Sequence, residues 1–189
     1  LLALLEGNVQ VLKNSSNNHF LEACNQGFKL THGKYIALVN NDTILDPLIF
    51  SNAMSTYEAN KEKSPIIGGM IQHLDGKLQE AGSIILEDGS TSGIGRREDS
   101  TSFRYNYQRN VHYVSGCFLF THKNILSNLN GFDDYFKPAY YEETDLCIRH
   151  LINGGIVLYE PKCKLIHFEF GSNDKNSNEN AMALMKRNH

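Results

Sequence analysis

Long apolar runs are missing from this 189-residue chain: none approaches the ~18 residues that a membrane-spanning helix requires. The opening Leu1–Leu5 stretch has no basic flank and stops at Glu6, so it does not read as a secretory signal. Cysteine is scarce. Cys24, Cys117, Cys147 and Cys163 form no C-x-x-C pair and no zinc spacing, and four thiols in a chain this long do not make a disulfide scaffold. Buried free thiols in a reducing compartment are the expectation. Positive charge is not in excess either: the formal net charge is −3, which leaves no basic face for a nucleic-acid backbone. There is no G-x-x-x-x-G-K-[ST] phosphate loop, no G-x-G-x-x-G turn after a strand and no G-x-S-x-G nucleophile elbow. Gly93-Ile94-Gly95 sits in a polar loop and lacks the third glycine.

What is present suits one packed domain spanning 1–189, with 41% hydrophobic and 21% charged residues. The chain opens on a leucine, and Leu1–Glu6 reads as the last turns of a helix stopped by Gly7, so a fragment is expected. Val9–Leu12 alternates like a short strand. Asn17 or Asn18 can cap a helix running to about Thr31. Tyr35–Val39 is a continuous apolar run of strand length, the pattern of a parallel strand covered on both faces. The polar cluster Asn40-Asn41-Asp42-Thr43 follows at once, and Pro47 opens a helix near Leu48–Asn60.

Further on, Ile66–Leu74 and Leu78–Leu86 read as strands around an Asp75-Gly76 turn. Glu87–Asn110 reads as a long polar loop and Val111–Thr121 as a strand. Lys123–Leu129 and Glu142–Asn153 read as helices, Ile156–Tyr159 and Lys164–Phe168 as strands, and the Asn-rich tail after Gly171 as mildly helical. Strand, polar loop and helix alternate, which predicts an α/β fold on a mostly parallel central sheet flanked by helices. Ligands of such sheets collect at the carboxyl ends of strands, where Asn40–Thr43 lies.

Three places can carry chemistry. Asp42, at a strand end, can hold a hard divalent cation against phosphate oxygens, or simply build a turn. Glu142, Glu143 and Asp145 open a helix; a carboxylate there can act as a general base, and acidic residues also favour a first helical turn for its dipole. His167 follows a strand and can complete a metal site or stay structural.

The order of these pieces resembles the family 2 inverting glycosyltransferases of GT-A fold, rhamnosyltransferase-like members in particular. The resemblance runs from about Val9 to Ser172. It includes Asn17-Asn18-His19-Phe20 with Ala23-Cys24-Asn25-Gln26-Gly27, then Gly33–Thr43, then Val114-Ser115-Gly116-Cys117. Gly131-Phe132-Asp133, the Tyr141–Arg149 block, Pro161 and His167 close it. Relatives open with a strand–helix–strand unit that holds the nucleotide base, and the resemblance implies that this sequence begins after most of it.

The resemblance implies roles. Asp42 stands at the metal-binding aspartate that ends a D-x-D motif, and Asn40 stands where many relatives carry the first aspartate. Glu143 takes the place of the catalytic base, with Glu142 and Asp145 as support or acceptor contacts. His167 matches a histidine that binds metal or diphosphate; Asn25, Asn40, Asn41 and Gly116 are candidates for the donor pocket. The implied activity is inverting transfer from a nucleotide-sugar donor to a hydroxyl of a glycan or lipid-linked acceptor, assisted by Mn2+ or Mg2+. A non-catalytic glycan- or nucleotide-binding module of the same fold is the alternative, and a nucleotidyltransferase a more distant one. Peripheral membrane association, a homo-oligomer and a cytoplasmic place at the inner face of the membrane complete the expectations; nucleic acid is not an expected partner.

Overall fold

A computed structural model describes residues 9–168 and 175–188. The helix end expected at Leu1–Glu6 lies outside the described residues. Val9–Leu12 is exposed and enters no strand. Helix α1 (His19–Leu30) begins where Asn17 Oδ1 accepts from the His19 amide at 2.9 Å. Strand β1 (Tyr35–Val39) leads through the Asn40–Asp42 turn into β2 (Thr43–Leu45), then α2 (Ile49–Ala59) and β3 (Pro65–Gln72). Strands β4 (Leu78–Ala81), β5 (Ser83–Ile85), β6 (Thr91–Gly93) and β7 (Arg109–Asn110) follow, then β8 (Phe118–His122) and α3 (Lys123–Asn128). Helix α4 (Glu142–Ile152), β9 (Ile156–His167) and α5 (Lys175–Asn188) complete the order.

The main sheet runs β1-β8-β3-β9-β2, with β4 added to β3 and β7 to β9; β5 and β6 form a separate hairpin. Among the described residues only β3 and β9 pair in parallel, and every other pairing in the sheet is antiparallel. The expectation of a mostly parallel sheet is therefore corrected to a mixed α/β sheet. An apolar run reports how a strand is covered and carries no information about the direction of its neighbour. β1 shows this: its partner β8 runs antiparallel, and Val39 stays 39% exposed.

Two backbone features explain where strand boundaries depart from the sequence pattern. The run Leu78–Leu86 breaks at Gly82, whose φ of +75° and contact with Val111 leave no room for a side chain. The chain thereby leaves the main sheet and enters the hairpin. Conversely, the two strands expected at the end are one. From Gly69 to Met70, β3 advances one residue while its partner advances from Glu160 to Lys164, so Pro161, Lys162 and Cys163 bulge out. Proline, which has no amide to donate, falls in that bulge. The core between sheet and helices holds Leu21, Ile66, Ile67, Met70, Leu119 and Leu146, all essentially inaccessible to solvent. All four cysteines are unpaired, and three of them are buried. Among the described residues, no helix is long and apolar enough to cross a membrane.

Candidate active site

The turn after β1 brings Asp42 to the end of β9. Phe168 donates its amide to the Asp42 carbonyl at 2.9 Å, and Thr43 pairs with His167 across the β2–β9 ladder. His167 Nε2 then lies 3.3 Å from Asp42 Oδ1. That separation suits an ion pair, but Oδ1 is buried and makes no aligned hydrogen bond. Gln79 Oε1 lies 2.8 Å from the other ring nitrogen, Nδ1. An amide oxygen only accepts, so Nδ1 donates to Gln79 and Nε2 is the ring nitrogen that faces Asp42. Asp42 Oδ1 and His167 Nε2 thus face each other at a separation that a shared cation would satisfy.

Among the described residues no three His, Cys, Asp or Glu side chains close a metal cage. Asp42 and His167 alone are nonetheless a donor set for an octahedral cation that keeps water and substrate phosphate as its other ligands. The unsatisfied Asp42 Oδ1 is the observation that fits such a group. Cys117 Sγ approaches the ring at 3.5 Å, but burial pushes its thiol up to about 12, so it stays a neutral neighbour.

A second cluster sits at the start of α4. Tyr140 and Tyr141 both adopt left-handed backbone angles (φ 74° and 72°), a strained conformation for a bulky side chain. It presents Glu143, half-buried, to a cleft of about 310 Å³ lined also by Glu80, Tyr113, Ser115 and Tyr140. Glu143 Oε1 accepts from the Gly116 amide at 3.3 Å. Desolvation raises the Glu143 pKa, which strengthens it as a base. Glu142 points elsewhere: it is 3% exposed, its Oε2 is buried without a partner, and burial together with Glu143 raises its pKa.

The sequence candidates therefore divide. Asp42 and His167 meet, and so do Glu143 and Gly116. Asp145 is taken up by Arg149 at 2.6 Å, whose guanidinium also holds the carbonyls of Leu129 and Gly131. Asn25 spends both ends of its amide on the Phe132 backbone and so ties α1 to the turn before α4. Asn40 bonds Cys117 through its backbone amide and, at 3.5 Å, through its side chain; Asn41 is exposed on the turn.

Reading the sequence missed Gln79 and Glu80. A Gln-Glu pair inside the short strand between Leu78 and Ala81 is the signal that was there, because a charged group in a covered strand needs a reason. It missed, too, how the two clusters join. The amides of Ser115 and Gly116 bond Glu80 and Glu143, and the next side chain, Cys117, touches His167 and Asn40. One three-residue turn links the carboxylate cleft to the Asp42–His167 pair.

No family model matches the sequence. A protein of Sinorhizobium fredii (strain NBRC 101917 / NGR234), described as uncharacterized protein y4gI, is 22% identical over 185 residues. That match covers 95% of this chain and 20% of the relative. Among solved structures, the crystal structure of GalNAc-T7 with UDP, GalNAc and Mn2+ superposes with a TM-score of 0.65 at 13% identity. It covers 88% of this chain and 33% of that one. The chain thus spans a fifth of one relative and a third of the other. The likeness establishes a fold of the GT-A glycosyltransferase kind.

Proposed function

We propose that the chain carries the metal-and-acceptor half of a glycosyltransferase site, and that it transfers a sugar from a nucleotide-sugar donor to an acceptor hydroxyl with inversion. The observation that supports this reading best is the Ser115–Cys117 turn, which holds a raised-pKa carboxylate beside the Asp42–His167 pair. In this scheme Glu143 removes the proton of the acceptor hydroxyl. The freed oxygen attacks the anomeric carbon as the bond from that carbon to the diphosphate oxygen breaks, and the electron pair leaves with the nucleoside diphosphate. The Gly116 amide holds Glu143 in place, and Asp42 and His167 are the residues that would hold a divalent cation. Such a cation, when bound, offsets the charge that develops on the leaving diphosphate. The presence of UDP and Mn2+ in the GalNAc-T7 structure supports the choice of donor class.

The test pairs binding with turnover. Nucleotide sugars should raise the melting temperature with Mn2+ and not without it. Glu143→Gln should keep that shift while transfer falls by about 10²–10⁴-fold, the usual contribution of a general base. Near-normal transfer by the variant would sink the assignment. Donor binding without any transfer by the wild-type chain would favour the binding-module reading.

A further inference from the structure

Glu80 is a half-buried acid that this mechanism leaves unused. It reaches the cleft from β4, opposite Glu143 on α4. Glu80 Oε1 accepts from the Ser115 amide at 3.3 Å and Oε2 from Ser83 Oγ at 3.1 Å. Glu143 takes the next amide along, that of Gly116. The two carboxyl groups therefore accept from consecutive amides of one turn, and both line the cleft. Each amide or hydroxyl donor occupies one lone pair of its oxygen, and the remaining lone pairs can accept from a ligand. Burial pushes Glu80 up to about 7, with Glu143 adding to the rise and Arg96 opposing it. No lysine or arginine lines the cleft among the described residues, whereas Tyr113, Tyr140 and Tyr141 do.

We propose that Glu80 is a specificity-determining residue of the acceptor cleft. It accepts a hydrogen bond from the hydroxyl neighbouring the one that Glu143 deprotonates, and it restricts the acceptor to sugars without negative charge. The inference rests on the transferase reading of the same cleft. A cleft of about 310 Å³ has room for one pyranose ring. A vicinal diol supplies one donor for each of the two carboxyl groups, and tyrosine rings cover the apolar C–H face of a sugar. A uronate or sugar phosphate would bring its negative charge against two carboxyl groups in a half-buried cleft, which disfavours it.

The test needs no turnover. Methyl hexopyranosides, their 2-amino-2-deoxy counterparts, and the matching 6-phosphates and uronides are titrated into the chain by calorimetry and saturation-transfer NMR, with UDP and Mn2+ present. Neutral and amino sugars should bind, and the anionic ones at least about tenfold more weakly. Glu80→Gln should weaken neutral glycosides about tenfold and narrow the gap to the anionic ones, while Glu80→Asp recovers part of the discrimination. Melting temperatures of both variants separate this loss from misfolding. Equal binding of 6-phosphates, unchanged affinities in Glu80→Gln, or no binding by any neutral glycoside would each overturn the proposal. Failure of nucleotide sugars to bind would instead remove the transferase reading and leave the glycoside result standing.

Discussion

The two ring nitrogens of His167 do different work, and Gln79 decides which does what. Gln79 is 7% exposed and His167 8%, so neither can exchange its partner for bulk water. A buried imidazole held at Nδ1 by an amide oxygen presents Nε2 at a fixed angle, the usual way a second residue orients a metal-binding histidine. Gln79→Leu should weaken Mn2+ binding about 10–100-fold in an EPR titration with UDP present. Gln79→Glu keeps the acceptor and should restore it. A purely structural role for Gln79 would lower the melting temperature and leave the Mn2+ isotherm where it was. At this scale the sequence was half legible. Asp42, Glu143, Gly116 and His167 were all named by motif order, and the structure brings them together as two pairs, Asp42 with His167 and Glu143 with Gly116. Gln79 and Glu80 were not, since their partners lie 88 and 35 residues away along the chain, and the contact of Cys117 with His167 spans 50.

At the scale of elements, the bulge in β9 does more than absorb Pro161. Beyond it, Met70, Ile71 and Gln72 pair with Lys164, Leu165 and Ile166, and the same frame sets Thr43 opposite His167. Three extra residues therefore bring His167 to Asp42; without them the strand would arrive out of register. Gly69 is what lets the bulge close, because a Cβ there would stand 2.1 Å from the Cys163 carbonyl oxygen. Backbone cannot swing aside as a flexible side chain can. Gly69→Ala should destabilise the fold by about 1–3 kcal/mol, seen as a lower urea midpoint with an unchanged slope. A midpoint equal to wild type would mean that the bulge relaxes freely. This device also explains the limits of reading elements from pattern. α1, α2 and α4 were legible within a residue or two, because helical periodicity and the proline, glycine and acidic signals at helix ends are local. Strand direction, the splitting of Leu78–Leu86 at Gly82 and the fusion of the last two strands depend on neighbours distant in sequence.

Across the whole molecule, the cost of the site shows in its acid–base balance. Glu80, Glu142 and Glu143 all have raised pKa values, each chiefly through desolvation. In the unfolded chain a glutamate titrates near 4.3. Between that value and the raised folded one, the native state binds more protons than the unfolded state, so stability falls as pH rises. The stability linked to Glu80 is fully present below about pH 4.5 and is lost as pH climbs toward 7; the pair on α4 extends the decline further up. Each proton so retained tilts the curve by about 1.4 kcal/mol per pH unit. The melting temperature should therefore fall from pH 5 to pH 8, where acid-labile proteins gain stability. Glu142→Gln keeps the neutral form that burial enforces on a side chain whose Oε2 has no partner, and removes the proton uptake that folding demands; it should flatten the curve and raise the melting temperature at pH 8 by a few degrees, at about 2–4 °C per kcal/mol for a chain of this size. A melting temperature that climbs through this window would show that these carboxyls ionise freely. That outcome would also remove the reason for a strong base in the cleft, because the desolvation that destabilises the fold at neutral pH is the same desolvation that makes Glu143 reach for a proton.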